Sequence, residues 1–161
     1  MGPLSHMKLL TRSPEETQAL GEALGRAAEP GDLFLLWGEL GAGKTCLVQG
    51  IARGLGVRDA VRSPTFVLVT HHPGRLMLYH IDLYRLDNPL EVEDLGLDEY
   101  VEGDGVCVVE WADKAMPLFP REHLVVELRH AGDQERQIML SPRGDRYVRL
   151  VGQVRHQMHI E

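Results

Sequence analysis

The chain has 161 residues, 43% of them hydrophobic, a length and composition that suit one globular domain with its own core. Its 24 acidic and 17 basic side chains give a net charge of −7, which argues against a surface devoted to nucleic-acid binding. No apolar run approaches the roughly 20 residues of a membrane-spanning helix. The first residues lack the basic start and apolar centre of a secretory signal, and two cysteines make no disulfide framework. We therefore expect a cytoplasmic protein.

The first predicted element is an amphipathic helix. Ser13 predicts its N-cap, because Pro14 follows at the first helical position and Glu16 stands at the third. Leucine and alanine then recur at helical spacing as far as Ala27. The sequence Glu-Pro-Gly-Asp at 29–32 ends the helix and leads into the next element.

A glycine-rich loop then joins a strand to a helix. Leu33–Trp37 is an unbroken apolar run, as expected of a buried strand. The loop after it fits G-x-x-x-x-G-K-[ST], the P-loop, in which backbone N–H groups at a helix N-terminus surround a polyphosphate. Lys44 is expected to reach the β and γ phosphates, and Thr45 to offer its hydroxyl to Mg²⁺. The predicted nucleotide-binding residues are Gly38, Glu39, Leu40, Gly41, Ala42, Gly43, Lys44, Thr45 and Cys46.

The segment after the P-loop helix predicts a β-hairpin. Apolar and β-branched residues fill 66–70 and 76–82, and residues 71–75 between them form a turn with Pro73 and Gly74. Strands joined by so short a turn pair antiparallel. The sheet is therefore expected to be mixed.

The second half of the chain predicts short helical pieces alternating with strands. Helical pieces are expected near 88–93, at 97–100 and at 112–116, the last stopped by Pro117. The predicted strands are Val106–Glu110, Leu124–Leu128, Arg136–Leu140 and Tyr147–Val151.

These elements predict an α/β domain with a P-loop NTPase-like three-layer fold and a mixed, mainly parallel central sheet. We place a single P-loop ATPase domain at residues 8–152. Residues 1–7 resemble a tag remnant and are left out of the fold, and residues 153–161 are expected to form a C-terminal tail.

Two carboxylates that end apolar strands are candidates for the chemistry of hydrolysis. Asp82 and Glu110 fall where strand ends face the ligand crevice of an α/β sheet, so either could serve the Mg²⁺ ion or the attacking water. Each is also compatible with a solvated acid at a strand end. Thr65, in a Ser-Pro-Thr turn, is either a switch-loop contact to Mg²⁺ or the γ-phosphate, or an ordinary loop threonine.

The residues around these carboxylates have two interpretations each. His80, Tyr84 and Arg85 flank Asp82, and Trp111 directly follows the second acid. Each could belong to the site, or be an ordinary core or surface side chain. The histidines show no metal-ligand spacing, so no zinc site is expected.

Four motifs in the same order identify a family. They are Gly-Glu-Leu-Gly-Ala-Gly-Lys-Thr at 38–45, Ser-Pro-Thr-Phe at 63–66, His-Ile-Asp-Leu-Tyr-Arg at 80–85 and Val-Val-Glu-Trp at 108–111. Together they closely resemble the bacterial TsaE family, once called YjeE, over nearly the whole chain. The last three motifs make the resemblance specific, because the P-loop alone names only a superfamily.

The resemblance implies an ATPase subunit of the bacterial machinery that makes threonylcarbamoyladenosine in tRNA. Such a subunit uses ATP and Mg²⁺, acts with the TsaB and TsaD subunits and is a feeble ATPase alone; direct contact with tRNA is left open. Carried over by motif, Lys44 grips the phosphates and Thr45 binds Mg²⁺. Thr65 belongs to a switch-like loop, Asp82 is needed for hydrolysis, and Glu110 acts at the metal.

Three other classes of P-loop protein are alternatives. A GTPase would carry Asn-Lys-x-Asp and Asp-x-x-Gly, and neither string occurs. A small-molecule kinase would carry an arginine-bearing lid, which the arginines from Arg121 to Arg149 leave open. A binding module without catalysis is disfavoured, because Lys44, Asp82 and Glu110 are all present.

Overall fold

A computed structural model of the chain describes residues 6–39, 41–58, 69–84 and 96–159. Within these ranges the strands are β1 (Met7–Thr11), β2 (Leu33–Trp37), β3 (Val69–His72), β4 (Leu78–Asp82), β5 (Val106–Glu110), β6 (His123–His130) and β7 (Arg136–Arg143). The helices are α1 (Pro14–Ala27), α2 (Lys44–Gly54), α3 (Asp98–Val101) and α4 (Asp145–Gln157), with two 3₁₀ turns at Ala112–Lys114 and Met116–Leu118. None of the described helices is both long and apolar enough to cross a membrane.

The described strands form one sheet in the order β1-β7-β6-β2-β5-β4-β3. The four central strands β6, β2, β5 and β4 are parallel to one another. Antiparallel neighbours complete both edges, β3 beside β4 on one side and β7 with β1 on the other. The predicted α/β fold with a mixed, largely parallel sheet is therefore confirmed.

The sheet separates two apolar cores. Phe34 and Leu36 of β2 face the core that packs against α1, α2 and α4. Leu33 and Leu35 face the other core, which α3 and the 3₁₀ turns help to cover. Successive side chains of a strand point to opposite faces. A central strand covered on both faces therefore carries the unbroken apolar run seen in the sequence.

The predicted start of α1 is confirmed. The Ser13 hydroxyl accepts a hydrogen bond from the backbone N–H of Glu16 at 3.2 Å, and Pro14 occupies the first turn. At the other end of the helix, the Arg75 guanidinium donates to the carbonyl oxygens of Gly25 and Ala28 at 2.8 and 3.1 Å. Both ends of α1 are thus held by side chains that satisfy its terminal backbone groups.

Four glycines bring α1 and α2 into backbone contact. A Cβ atom added to Gly21 or Gly25 of α1 would lie 2.3 Å from a carbonyl oxygen of α2. One added to Gly50 or Gly54 of α2 would lie 2.2 or 2.3 Å from a carbonyl oxygen of α1. The two helices can approach this closely only because these positions lack side chains, and α2 is the helix that begins at the P-loop.

We expect Gly50→Ala to destabilise the protein by about 1–3 kcal/mol, because the new methyl group would overlap the backbone of α1. Gly152→Ala is the matched control, since a Cβ at this α4 position would meet nothing within 4 Å. It should stabilise the protein by about 0.5–1 kcal/mol, the usual gain of alanine over glycine in a helix. Urea unfolding midpoints measure both effects, and equal shifts for the two variants would contradict this packing.

The predicted last strand at Tyr147–Val151 is wrong, because these residues lie in α4. Tyr147, Leu150, Val151 and Val154 are the buried residues of this helix, and their spacing is helical once Val154 is included. The helix also crosses the predicted domain boundary at 152 and continues to Gln157.

The N-terminal edge of the sheet was not predicted. Met7, the last residue of the segment expected to lie outside the fold, is the first residue of β1 and is only 2% exposed. It lies opposite Leu140 of β7. This pairing joins two strands that are far apart in the sequence, and a local pattern cannot reveal such a distant partner.

The predicted hairpin is confirmed in its pairing and shifted in its bounds. Val69 lies opposite Ile81, and His72 lies opposite Leu78, in an antiparallel pair. β3 extends through His71 and His72, which had been predicted as turn, and β4 begins at Leu78. The predicted strand residues 66–68 and the helical piece at 88–93 lie outside the described residues.

Candidate functional site

The P-loop leaves the end of β2 and enters α2 through backbone conformations that favour glycine. Gly41 and Gly43 have φ values of 77° and 101°. The N–H of Ala42 donates to the Glu39 carbonyl oxygen at 3.1 Å and closes the turn. Gly43 is the N-cap of α2 and has no side chain to bond the first N–H groups of the helix. Those groups are the ones that a bound phosphate would accept from.

Lys44 is held at the mouth of this loop. The residue is 4% exposed, and its Nζ donates to the Gly38 carbonyl oxygen at 2.5 Å. The same Nζ lies 3.5 Å from the centre of the Trp111 ring, as in a cation–π contact. Burial lowers the pKa of Lys44, and the charges of Glu110 and Asp82 oppose that shift. The ammonium group therefore lies near two acids and next to the P-loop.

The two predicted carboxylates are neighbours. Asp82 ends β4 and lies opposite Glu110, which ends β5 and pairs on its other side with Leu36 of β2. Asp82 Oδ1 accepts a hydrogen bond from the Tyr84 N–H at 2.9 Å. Burial raises the pKa of Asp82, and the Glu110 charge raises it further against the effect of that hydrogen bond. Both acids thus lie at strand ends beside the P-loop, where the sequence predicted them.

His80 supports Glu110 from within the sheet. Its Nε2 bonds Glu110 Oε2, and the two residues are 0% and 3% exposed. His80 Nδ1 is buried and has no hydrogen-bond partner among the described residues. A bond to one carboxylate oxygen fixes the orientation of the acid, so His80 contributes to the site although the sequence left it undecided.

Two aromatic side chains in contact, Trp111 and Tyr84, line one side of the site. Trp111 directly follows Glu110 and has a left-handed backbone, with φ 60° and ψ 33°, which is uncommon for a residue other than glycine. Its ring lies 5.0 Å from the Tyr84 ring, and Lys114 Nζ donates to the Tyr84 carbonyl oxygen. This backbone turn places the indole over Lys44. Strain of this kind tends to occur at functional sites.

The donor set suits Mg²⁺ better than a softer metal. Thr45 and Glu110 offer hydroxyl and carboxylate oxygens, the hard ligands that Mg²⁺ prefers. Among residues 6–39, 41–58, 69–84 and 96–159, no three His, Cys, Asp or Glu side chains converge into a metal cage. Mg²⁺ commonly takes only one or two protein ligands and completes its shell with phosphate oxygens and water, so this arrangement fits.

Three residues singled out in the sequence lie outside the described ranges: Leu40, Thr65 and Arg85. Conversely, Arg136 contacts the P-loop and was not singled out. Its Nη2 donates to the Gly41 carbonyl oxygen at 3.1 Å. No motif marks this arginine, and only the register of β7 in the folded sheet reveals the contact.

Comparisons with known proteins agree on one family. The family model described as "Threonylcarbamoyl adenosine biosynthesis protein TsaE" matches residues 11–138. The protein of that name from Bacillus subtilis is 46% identical over 89% of this chain and 90% of its own length. The Treponema pallidum protein is 41% identical over 84% of this chain and 100% of its own length.

A solved structure gives the same result for the fold. The crystal structure of Bacillus subtilis YdiB superposes with a TM-score of 0.84 at 40% sequence identity. The superposition covers 95% of this chain and 96% of that one.

Proposed function

Since this chain belongs to the TsaE family of threonylcarbamoyl adenosine biosynthesis proteins, we propose that it is the Mg²⁺-dependent ATPase of that tRNA modification. The observation that carries the proposal is the convergence of Lys44, Asp82 and Glu110 at one end of the sheet. A loop that only bound nucleotide would not need two partly desolvated acids beside its lysine. The two free cysteines suit a protein that works in the reducing cytoplasm.

In this proposal the P-loop binds the phosphates and Lys44 neutralises their charge. Gly41 and Gly43 let the backbone approach the phosphates, and the first N–H groups of α2 point toward them. Lys44 leaves the Trp111 ring and the Gly38 carbonyl oxygen to reach the β and γ phosphates. Its charge then stabilises the transition state, in which negative charge builds up on the transferred group.

The two acids take different roles. Glu110, oriented by His80, would hold the metal together with Thr45. Bound Mg²⁺ supplies neutralisation of phosphate charge. Asp82 is proposed to orient the attacking water and to accept its proton, a role that suits a carboxylate whose pKa is raised by burial. Thr65, from the Ser-Pro-Thr motif, is proposed to contact the γ-phosphate or the metal as switch loops do.

TsaB and TsaD are proposed as the partners that make hydrolysis fast. Tyr84 packs on Trp111 and is 45% exposed, so one wall of the site faces outward where a partner can reach it. Lys44 meanwhile bonds within the protein itself. Both features support slow hydrolysis by the isolated chain and faster hydrolysis in a complex. The acidic balance of the chain favours contact with protein partners over a large tRNA footprint.

The test compares ATP and GTP hydrolysis by the chain alone and with TsaB and TsaD. We expect weak Mg²⁺-dependent ATPase activity alone, and at least about tenfold stimulation when both partners are present, the effect of completing a catalytic site. GTP should be hydrolysed more slowly than ATP. Phosphorylation of a small acceptor, or intact ATP binding with no response to either partner, would contradict the proposal.

A further inference from the structure

Arg136 connects two parts of the fold that are distant in sequence, the start of β7 and the P-loop. Its Nη2 donates to the carbonyl oxygen of Gly41 at 3.1 Å. Its Nη1 donates to the carbonyl oxygens of Gly132, Asp133 and Glu135 at 3.2, 3.2 and 2.8 Å. One guanidinium group thus links the turn between β6 and β7 to the phosphate-binding loop.

The rest of the Arg136 side chain packs against the same loop. A Cβ atom placed on Gly43 would lie 3.7 Å from Arg136 Cγ and 3.8 Å from Nε. Nε is buried and has no hydrogen-bond partner in the part of the chain that the structure describes. None of the ion pairs formed there includes Arg136, since its partners are all neutral carbonyl groups. A positive charge without a carboxylate partner therefore lies beside the loop expected to bind phosphate.

The contact fixes one peptide unit of the P-loop. The carbonyl oxygen of Gly41 bonds Arg136, while the N–H of Ala42, in the same peptide, bonds the Glu39 carbonyl oxygen at 3.1 Å. A peptide group held at both polar ends cannot rotate without breaking one of these bonds. P-loops bind phosphate through N–H groups of successive peptides, so an orientation fixed in advance lowers the entropy lost on binding.

We propose that Arg136 is a positioning residue for nucleotide binding. From the β6–β7 turn it holds the P-loop in its phosphate-binding conformation, and its charge adds to the attraction for the polyphosphate. The inference rests on the proposed ATP-binding function and extends it to a residue that none of the four motifs contains.

The experiment measures ATP affinity by calorimetry for Arg136→Ala, Arg136→Lys and Arg129→Ala. Arg129 is the matched control, because it lies on the same hairpin but pairs with Glu127 and is far more exposed. Losing a charge-assisted hydrogen bond should weaken ATP binding about tenfold in Arg136→Ala. The Arg136→Lys variant keeps the charge but lacks the several N–H donors of the guanidinium group. Its ATP affinity should therefore lie between those of wild type and Arg136→Ala. Arg129→Ala should stay within about twofold of wild type, as expected for a surface ion pair.

Kinetics separate positioning from a general structural role. Arg136 contacts the loop rather than reacting atoms, so Arg136→Ala should raise KM for ATP while kcat at saturating ATP changes less than about threefold. Melting temperatures show whether each variant is folded at the assay temperature. A folded Arg136→Ala variant with wild-type ATP affinity would overturn the inference, and so would wild-type affinity in Arg136→Lys if the alanine variant does not fold. Failure of the wild-type protein to bind ATP would instead overturn the proposed function.

Discussion

Replacing Lys44 with alanine is expected to lower the rate of ATP hydrolysis at least about 100-fold, because the site would lose the charge proposed to stabilise the transferred phosphoryl group. No other described cation is both buried and placed between the P-loop and the two acids. Hydrolysis should be measured with TsaB and TsaD present, where we expect the wild-type rate to be highest and the loss easiest to quantify.

Lys8→Ala is the matched control for this variant. Lys8 is an exposed lysine on β1, so its loss changes net charge equally without touching the site. Its hydrolysis rate should match that of wild type. A Lys44→Ala variant that keeps a tenth or more of the wild-type rate would show that the ammonium group is not needed, and the roles proposed for the P-loop would have to be revised.

Replacing Asp82 with asparagine should produce two effects of opposite sign. Hydrolysis should fall about 100-fold or more, because asparagine cannot accept the proton of the attacking water. The melting temperature of the nucleotide-free protein at neutral pH should rise. Burial and the neighbouring Glu110 raise the pKa of Asp82, so the ionised side chain opposes folding, and asparagine removes that charge.

The pH dependence follows from the sign of this shift. A carboxylate whose pKa is higher in the folded protein binds its proton more tightly when folded. Its contribution to stability is therefore present below the unfolded pKa and is lost as pH rises through the folded pKa. The melting-temperature gain of Asp82→Asn should accordingly shrink as the pH is lowered through that range and the wild-type acid becomes protonated.

Asp104→Asn serves as the control, because Asp104 is an exposed acid and its replacement changes the net charge equally. Neither hydrolysis nor the melting temperature should change measurably. If Asp82→Asn were less stable than wild type at neutral pH, the favourable contacts of the ionised carboxylate would outweigh the cost of burying its charge. If it kept full activity, Asp82 could not be the base.

The centre of the candidate site could be predicted from the sequence, because the patterns that specify it involve residues that are close together in the chain or strands that end at the same edge of the sheet. The P-loop needs glycines and a lysine at fixed spacing, and β2 needs an unbroken apolar run. Asp82 and Glu110 could be placed together because parallel strands end at a common edge of the sheet. The antiparallel pairing of β3 and β4 was also predictable, because a short turn between two strands decides how they pair.

The misses share a different cause. The apolar residues from Tyr147 to Val151 suit a strand over five positions, and only Val154 reveals the helical period. The bond between His80 and Glu110 depends on the register of two strands, and the position of Arg136 depends on the register of a third. Register is set by how whole strands pack, so neither motifs nor propensities determine these contacts.

The strand order also constrains how the protein folds as it is synthesised. β2, which leads into the P-loop, lies between β5 and β6, and these neighbours are made only after the first two-thirds and three-quarters of the chain. β1 pairs with β7, which is nearly the last element to leave the ribosome. Such non-local pairing is slow to form. An emerging chain exposes unpaired apolar strands until the strands that pair with them have been synthesised. A nascent chain stopped before β6 would therefore display a complete P-loop sequence without a folded P-loop.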